Sequence, residues 1–221
     1  MIPQSLILEE MRLKLYRPPP AEDGGPHFKF DGNVLTRREF EYFLINTHEA
    51  VIVAGTAVEE RNLVYLFDSR DAFEAWSLQT RFASSFAHAD ELAHRYHNRN
   101  YREAPDFGVT VLSNAPLEPE KEDFGSALAI EQPGRNSKAL LYEGTGFSGR
   151  TMTLGVSAIA DLNEFEFSDS ICSARVNGVL MLSDEVSFDG YRFYITGSPY
   201  IAVPDMQRWG FNKAARSAIV C

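Results

Sequence analysis

A ten-residue pattern occurs twice in the last quarter of the chain, as Phe167-Ser-Asp-Ser-Ile-Cys-Ser-Ala-Arg-Val176 and as Phe211-Asn-Lys-Ala-Ala-Arg-Ser-Ala-Ile-Val220. Without a gap it aligns Phe167 with Phe211, Ser173 with Ser217, Ala174 with Ala218 and Val176 with Val220. Residues 138 to 221 therefore read as a duplicated unit, and the fold of that half must be assembled from two copies of one motif.

A turn precedes each copy. The first is Tyr142-Glu143-Gly144-Thr145-Gly146-Phe147-Ser148-Gly149, with an aromatic residue, a second aromatic five places on and a glycine two further. The second keeps Phe188-Asp189-Gly190 but has Ser183 at the place of the first aromatic. The spacing predicts two rings stacked across a folded hairpin, with Gly149 and Gly190 where the backbone needs a positive φ.

These residues resemble the Greek-key motif of the βγ-crystallin family: aromatic, four spacers, aromatic, any residue, glycine. Trp209-Gly210-Phe211 is similar to the tryptophan-containing stretch of that family's second motif. The resemblance implies an all-β double Greek-key sandwich over 138–221, with Phe147, Phe167, Phe188, Trp209 and Phe211 buried. It also implies a calcium signature in each copy: two Asn or Asp, two free positions, Ser or Thr, then Ser. The ligands would be a side-chain oxygen of the second position, the next carbonyl, the fifth-position hydroxyl and a hairpin carbonyl, all hard oxygen donors.

On this sequence the first copy offers Ser168, Asp169, Ser170, Ile171, Cys172 and Ser173, with Glu143 after the hairpin tyrosine. The implied metal ligands are Glu143, Asp169 and Ser170. Cys172, a soft thiol, replaces the fifth-position hydroxyl. In the second copy Asn212 survives, but Lys213 stands at the acid and Arg216 at the hydroxyl, and cations there repel a cation. Calcium is thus the one implied cofactor, bound weakly or not at all. The alternative for Asp169 and Ser173 is that their oxygens cap the loop through backbone amides.

The unit uses only the last third of 221 residues that are 44% hydrophobic and 12% aromatic, so another core must fold in front of it. The net charge of −10 shows no block of like sign, which disfavours phosphate-driven nucleic-acid binding. Met1 to Glu10 carries too short an apolar run for a signal peptide or a membrane span, so the expectation is a soluble, cytoplasmic chain without a membrane partner. Cys172 and Cys221 are too few for a disulfide framework and read as reduced thiols.

Residues 18–33 are rich in breakers. Thr36-Arg-Arg-Glu39 is a capping box ahead of Phe40, Phe43 and Leu44 on one helical face. Ala50–Val58 and Asn62–Phe67 read as a strand hairpin. Asp68-Ser69 caps a long helical stripe through Phe73, Trp76, Thr80, Phe82, Ala83, Phe86 and Ala87, running on past a bend near Asp90 to Leu92 and Tyr96. The expected organisation is an α+β domain over 1–104, a Pro- and Gly-rich linker over 105–137, and the crystallin-like domain over 138–221. Val109–Leu112 and Ala127–Ile130 could add edge strands to either domain.

His88, Asp90, Glu91, His94 and His97 form the densest ligand-type cluster, and Glu91, His94 and His97 recur at intervals of three. His88, His94 and His97 are accordingly the catalytic candidates, against the alternative of a solvated helical surface; His27 and His48 stand alone. No Gly-x-Ser-x-Gly element is present, and the glycines of the 144–149 turn lack the lysine of a phosphate loop. The reading leans away from an enzyme, toward a two-domain protein with a stability or interaction module whose partner is a protein or small molecule. The alternative is an enzyme or small-molecule binder with its pocket in the N-terminal domain or at the junction. Inhibition of another protein through an exposed crystallin loop is a third reading, favoured by no particular residue.

Overall fold

The computed structural model describes residues 26–47, 49–55, 63–97, 110–112, 137–211 and 213–221. The N-terminal part is α+β. Strands β1 (His27–Phe30) and β2 (Asn33–Leu35) form a hairpin and lead into helix α1 (Arg37–Asn46). The predicted capping box is present: the Thr36 hydroxyl accepts from the Glu39 amide, and the Glu39 carboxylate accepts from the Thr36 amide at 2.7 Å. Strands β3 (Val51–Gly55) and β4 (Leu63–Phe67) pair antiparallel as expected, and β4 runs parallel to β1.

The long helix expected after Ser69 is two helices, α2 (Arg70–Ser77) and α3 (Ala83–His97). The break falls at 78–82 rather than near Asp90. There the Ser77 hydroxyl donates to the Glu74 carbonyl and the Thr80 hydroxyl to the Ser77 carbonyl, so short side chains compete with the helical ladder. The break also rotates the buried stripe. Phe73, Phe82, Phe86, Ala89 and Ala93 are buried, while Ala87 faces solvent.

Strand β5 (Thr110–Leu112) pairs with the C-terminal half, which settles one of the two predicted edge strands; Ala127–Ile130 lies outside the described residues. The C-terminal half is all-β: β6 (Lys138–Gly144), β7 (Ser148–Leu154), β8 (Ser157–Ile159), β9 (Ser173–Ser183), β10 (Arg192–Val203) and β11 (Ser217–Val220). The long strands β9 and β10 each serve two layers. In one, β7, β6, the first part of β9 and residues 201–203 of β10 lie side by side. In the other, residues 192–197 of β10, the second part of β9, β11 and β8 do so. Leu141, Met152, Val176, Leu180, Leu182, Phe193, Ile195 and Val220 fill the core between them.

Both copies of the repeat take the same shape. Asp161 and Asp205 cap short 3-10 helices, Leu162–Phe165 and Met206–Trp209, through the amides of Asn163 and Gln207. Each helix ends on a left-handed residue, Glu166 and Gly210, after which Phe167 and Phe211 dive into the core. Phe167, Phe188 and Phe211 are buried as expected, but Phe147 and Trp209 are only partly so. Phe147 covers Tyr142 from the surface side, and Trp209 takes the same partly exposed place as Phe165 in the first copy.

The N-terminal sheet continues into the C-terminal half. Strand β3 runs parallel to β10, Val51 opposite Arg192 through Gly55 opposite Thr196. Phe28, Phe40, Ile52 and Leu66 share one core with the sandwich interior. On the opposite face of β9, β10 and β11, residues Val179, Met181, Tyr194 and Ile219 pack with Phe73 of α2, Phe82 of the break, and Phe86 and Ala89 of α3.

Candidate functional site: two repeat loops and their cations

Each hairpin is pinned by the last serine of its own signature. The Ser173 hydroxyl donates to the Gly144 carbonyl at 2.6 Å and accepts from the Phe147 amide at 3.1 Å. The Ser217 hydroxyl does the same with the Glu185 carbonyl at 2.8 Å and the Phe188 amide at 3.2 Å. Both serines are fully buried, so the loop-capping role anticipated for Ser173 is the one it fills. The Tyr142 and Phe147 rings meet edge-on at 5.6 Å, and Gly149 and Gly190 take φ of 82° and 71°. An acid after the first hairpin position closes each turn: Glu143 accepts from Arg150 at 2.6 Å, and Asp184 accepts from the Tyr191 amide at 2.7 Å.

The signature residues meet across the copies. The Asp169 amide donates to the Ala215 carbonyl, and Asp169 itself sits at φ 53°. Its carboxylate faces Arg216 of the second copy, with Nε 3.3 Å from Oδ1 and 3.4 Å from Oδ2. Arg216 also places Nη1 3.5 Å from the Glu185 carboxylate, and Asp169 beside it raises the guanidinium pKa further. A permanent cation therefore lies between two acids at the loop where the resemblance implied a metal.

The related position in the other loop is built from Cys172 and Lys213. The Cys172 amide donates to the Tyr142 carbonyl at 2.8 Å, as the Arg216 amide does to that of Ser183. Burial pushes the Cys172 thiol up, and the Lys213 ammonium nearby pulls it down. Glu143 is engaged with Arg150, whose guanidinium also reaches Glu166 and lies 5.1 Å over the Phe167 ring. Of the three implied ligands, Asp169 and Ser170 share one turn, whereas Glu143 is drawn to Arg150. The Ser170 hydroxyl donates to the Phe167 carbonyl and its own carbonyl accepts from the Cys172 thiol. Asn212 lies outside the described residues.

The histidine cluster divides between two faces of α3. His88 stands 3.7 Å from Glu91, and Glu91 also pairs with Arg95, all on the exposed side. Asp90 turns inward to the buried Arg192 on β10. His94 is exposed, the side chain of His97 and all of His48 lie outside the described residues, and His27 is exposed on β1. Among the described residues no three His, Cys, Asp or Glu are grouped to hold a metal ion. No described helix is long and apolar enough to cross a membrane.

Sequence reasoning did not identify Arg192 or Glu185. Arg192 was legible as a charge within the apolar run Tyr191–Ile195. Glu185 had only its position two after Ser183 to mark it.

Two copies of a hairpin-and-loop unit, related by the repeat and sharing one core, define a double Greek-key sandwich. Residues 138–219 match the Beta/Gamma crystallin family model, and this part of the chain is a βγ-crystallin domain. It is similar in structure to a βγ-crystallin from Ciona intestinalis, at 26% identity over 37% of this chain and 96% of that one, with a TM-score of 0.34. An archaeal βγ-crystallin is similar at 14% identity over 39% and 99%, TM-score 0.35. Spherulin 3a from Physarum polycephalum is similar at 19% identity over 42% and 89%, TM-score 0.32. Among curated proteins none matches the chain.

Proposed function

We propose that the chain is a non-catalytic, cytoplasmic protein of two units, 1–104 and 138–221 joined through 105–137, whose βγ-crystallin unit is a stability or interaction module that has given up tight calcium binding. The observation that carries this reading is Arg216, set between Asp169 and Glu185. A guanidinium keeps its charge at any working pH and is tethered to the loop, so it neutralises both acids without a metal. The ion pairs are half-exposed and worth only about 0–1 kcal/mol each. What weakens calcium is chiefly the retained positive charge, because a displaced Arg216 remains within a few ångströms of the ion. Lys213 and Cys172 deprive the other loop of an acid and a hydroxyl in the same way.

Thermal melts of the intact chain at about 10 μM free calcium and in chelator test the reading, since a weak site stays empty there and a tight one fills. Ligand linkage predicts midpoints that agree within about 1 °C when no native-state site is filled. A calcium-dependent rise of several degrees would overturn it.

A further inference from the structure

We propose that the N-terminal strands and α3 are a built-in cap on the open edges of the βγ-crystallin sandwich, locked by Arg192 and Asp90, and that the partner they exclude is a second copy of this chain. The proposal rests on reading the C-terminal unit as a stability or interaction module, and it assigns a task to the segment in front of it.

In the repeat, β7 follows the first hairpin and residues 192–197 of β10 follow the second, so these are equivalent outer edges. Each is covered by a strand from earlier in the chain. Strand β5 pairs with β7, Leu112 opposite Thr151, and β3 pairs with β10, Val51 opposite Arg192. Thr151 and Arg192 each lie two residues after the hairpin glycine, so the two caps sit at matching places in the two copies. An uncovered strand edge is a template for another chain, and covering it removes the template.

The second cap is held along its ladder, where the Thr196 hydroxyl donates to the Ala54 carbonyl at 3.1 Å, and above all through Arg192. The Arg192 amide donates to the Ala50 carbonyl at 3.1 Å, which starts the β3 ladder. Its guanidinium pairs with Asp90 of α3 and donates to the Phe188 carbonyl of the hairpin at 3.4 Å. Arg192 is only 5% exposed, so strand, helix and hairpin are tied together through a buried guanidinium whose partner Asp90 is partly exposed. At the far end of the ladder the fit depends on Gly55, at φ 100°, where a Cβ would run into the Thr196 carbonyl. With the cap released, the edge at 192–196 and the face of Val179, Met181, Phe188 and Tyr194 are bared together. A second copy is the occupant that continuity selects, since its β3 presents the strand and register that this edge already accepts.

The test uses the full chain, as wild type and as Asp90→Ala and Gly55→Val, with amide hydrogen exchange and light-scattering mass measured across concentration. In both variants the Arg192 amide and the β3 amides should exchange at least about tenfold faster while β6 at 139–142 keeps its protection. The mass should rise with concentration toward a dimer in Asp90→Ala but not in Gly55→Val, whose β3 clashes at Thr196 of a second copy as it does at its own, and wild type should remain monomeric. Should a variant unfold, wild-type exchange in rising sub-denaturing urea decides: β3 and Arg192 opening before β6 supports the cap. Opening of β3, Arg192 and β6 as one unit, or an opened edge in Asp90→Ala with the mass fixed at the monomer, overturns it. Neither readout depends on calcium, so this proposal and the calcium reading can fail separately.

Discussion

Arg216 of the second copy reaches Asp169 of the first, its Nε 3.3 and 3.4 Å from the two carboxylate oxygens, so the two halves of the repeat are joined by charge at the loop that carries the family signature. Both side chains are nearly half exposed. Arg216→Ser should therefore cost no more than about 1 kcal/mol in urea unfolding. A loss of several kcal/mol would mean that the pair stabilises the fold rather than merely filling the loop.

Ser173 and Ser217, themselves buried, each bond a carbonyl and an amide of a hairpin. Removing either hydroxyl deletes both bonds, so Ser173→Ala and Ser217→Ala should each cost about 1–3 kcal/mol. Equal costs are the expected mark of the repeat. A neutral result at one of them would show that its hairpin is held by something else.

Phe167 is wholly buried and Trp209 only partly so. Phe167→Ala should cost about 3–5 kcal/mol and Trp209→Ala clearly less, despite the larger ring removed. Chemical denaturation of both variants would check the order, and a larger loss at Trp209 would contradict the burial described.

Burial pushes the Cys221 thiol up to about 12, and the Tyr194 hydroxyl also to about 12, with Arg192 offsetting part of the latter. The folded state thus holds these protons more tightly than the unfolded chain does. Their contribution is complete below the ordinary values of 9.0 and 10.0 and is lost as pH rises toward about 12. Urea midpoints should fall above about pH 9, and the fall should be shallower in Cys221→Ala. Stability that stays level to pH 11 in the wild type would contradict this.

Much of the C-terminal architecture was legible because a motif copied without gaps repeats its local chemistry. In both copies the serine follows the core phenylalanine at one fixed offset and the hairpin glycine follows its aromatic at another, and the two pieces fold alike. The Thr36–Glu39 box was legible for the same reason, since a cap is settled within four residues. The union of β3 with β10 was not, because an apolar strand does not name its partner across some 140 residues of chain. One signal was present: Val51–Gly55 is apolar at every position, as a strand covered on both faces must be, rather than alternating. At the loops, the sequence named Asp169, Lys213 and Arg216 but treated each copy by itself. The pairing of Asp169 with Arg216 follows only once the copies interlock.

The central claim is that a tethered cation has taken a metal's place, and calorimetric titration of the intact chain with calcium tests it most directly. Wild type should show no site tighter than about 100 μM, the affinity of weak extracellular calcium modules. The combined Cys172→Ser, Lys213→Asp and Arg216→Ser variant should bind at least about tenfold more tightly. A submicromolar site in the wild type, or no gain in a folded triple variant, would contradict the account.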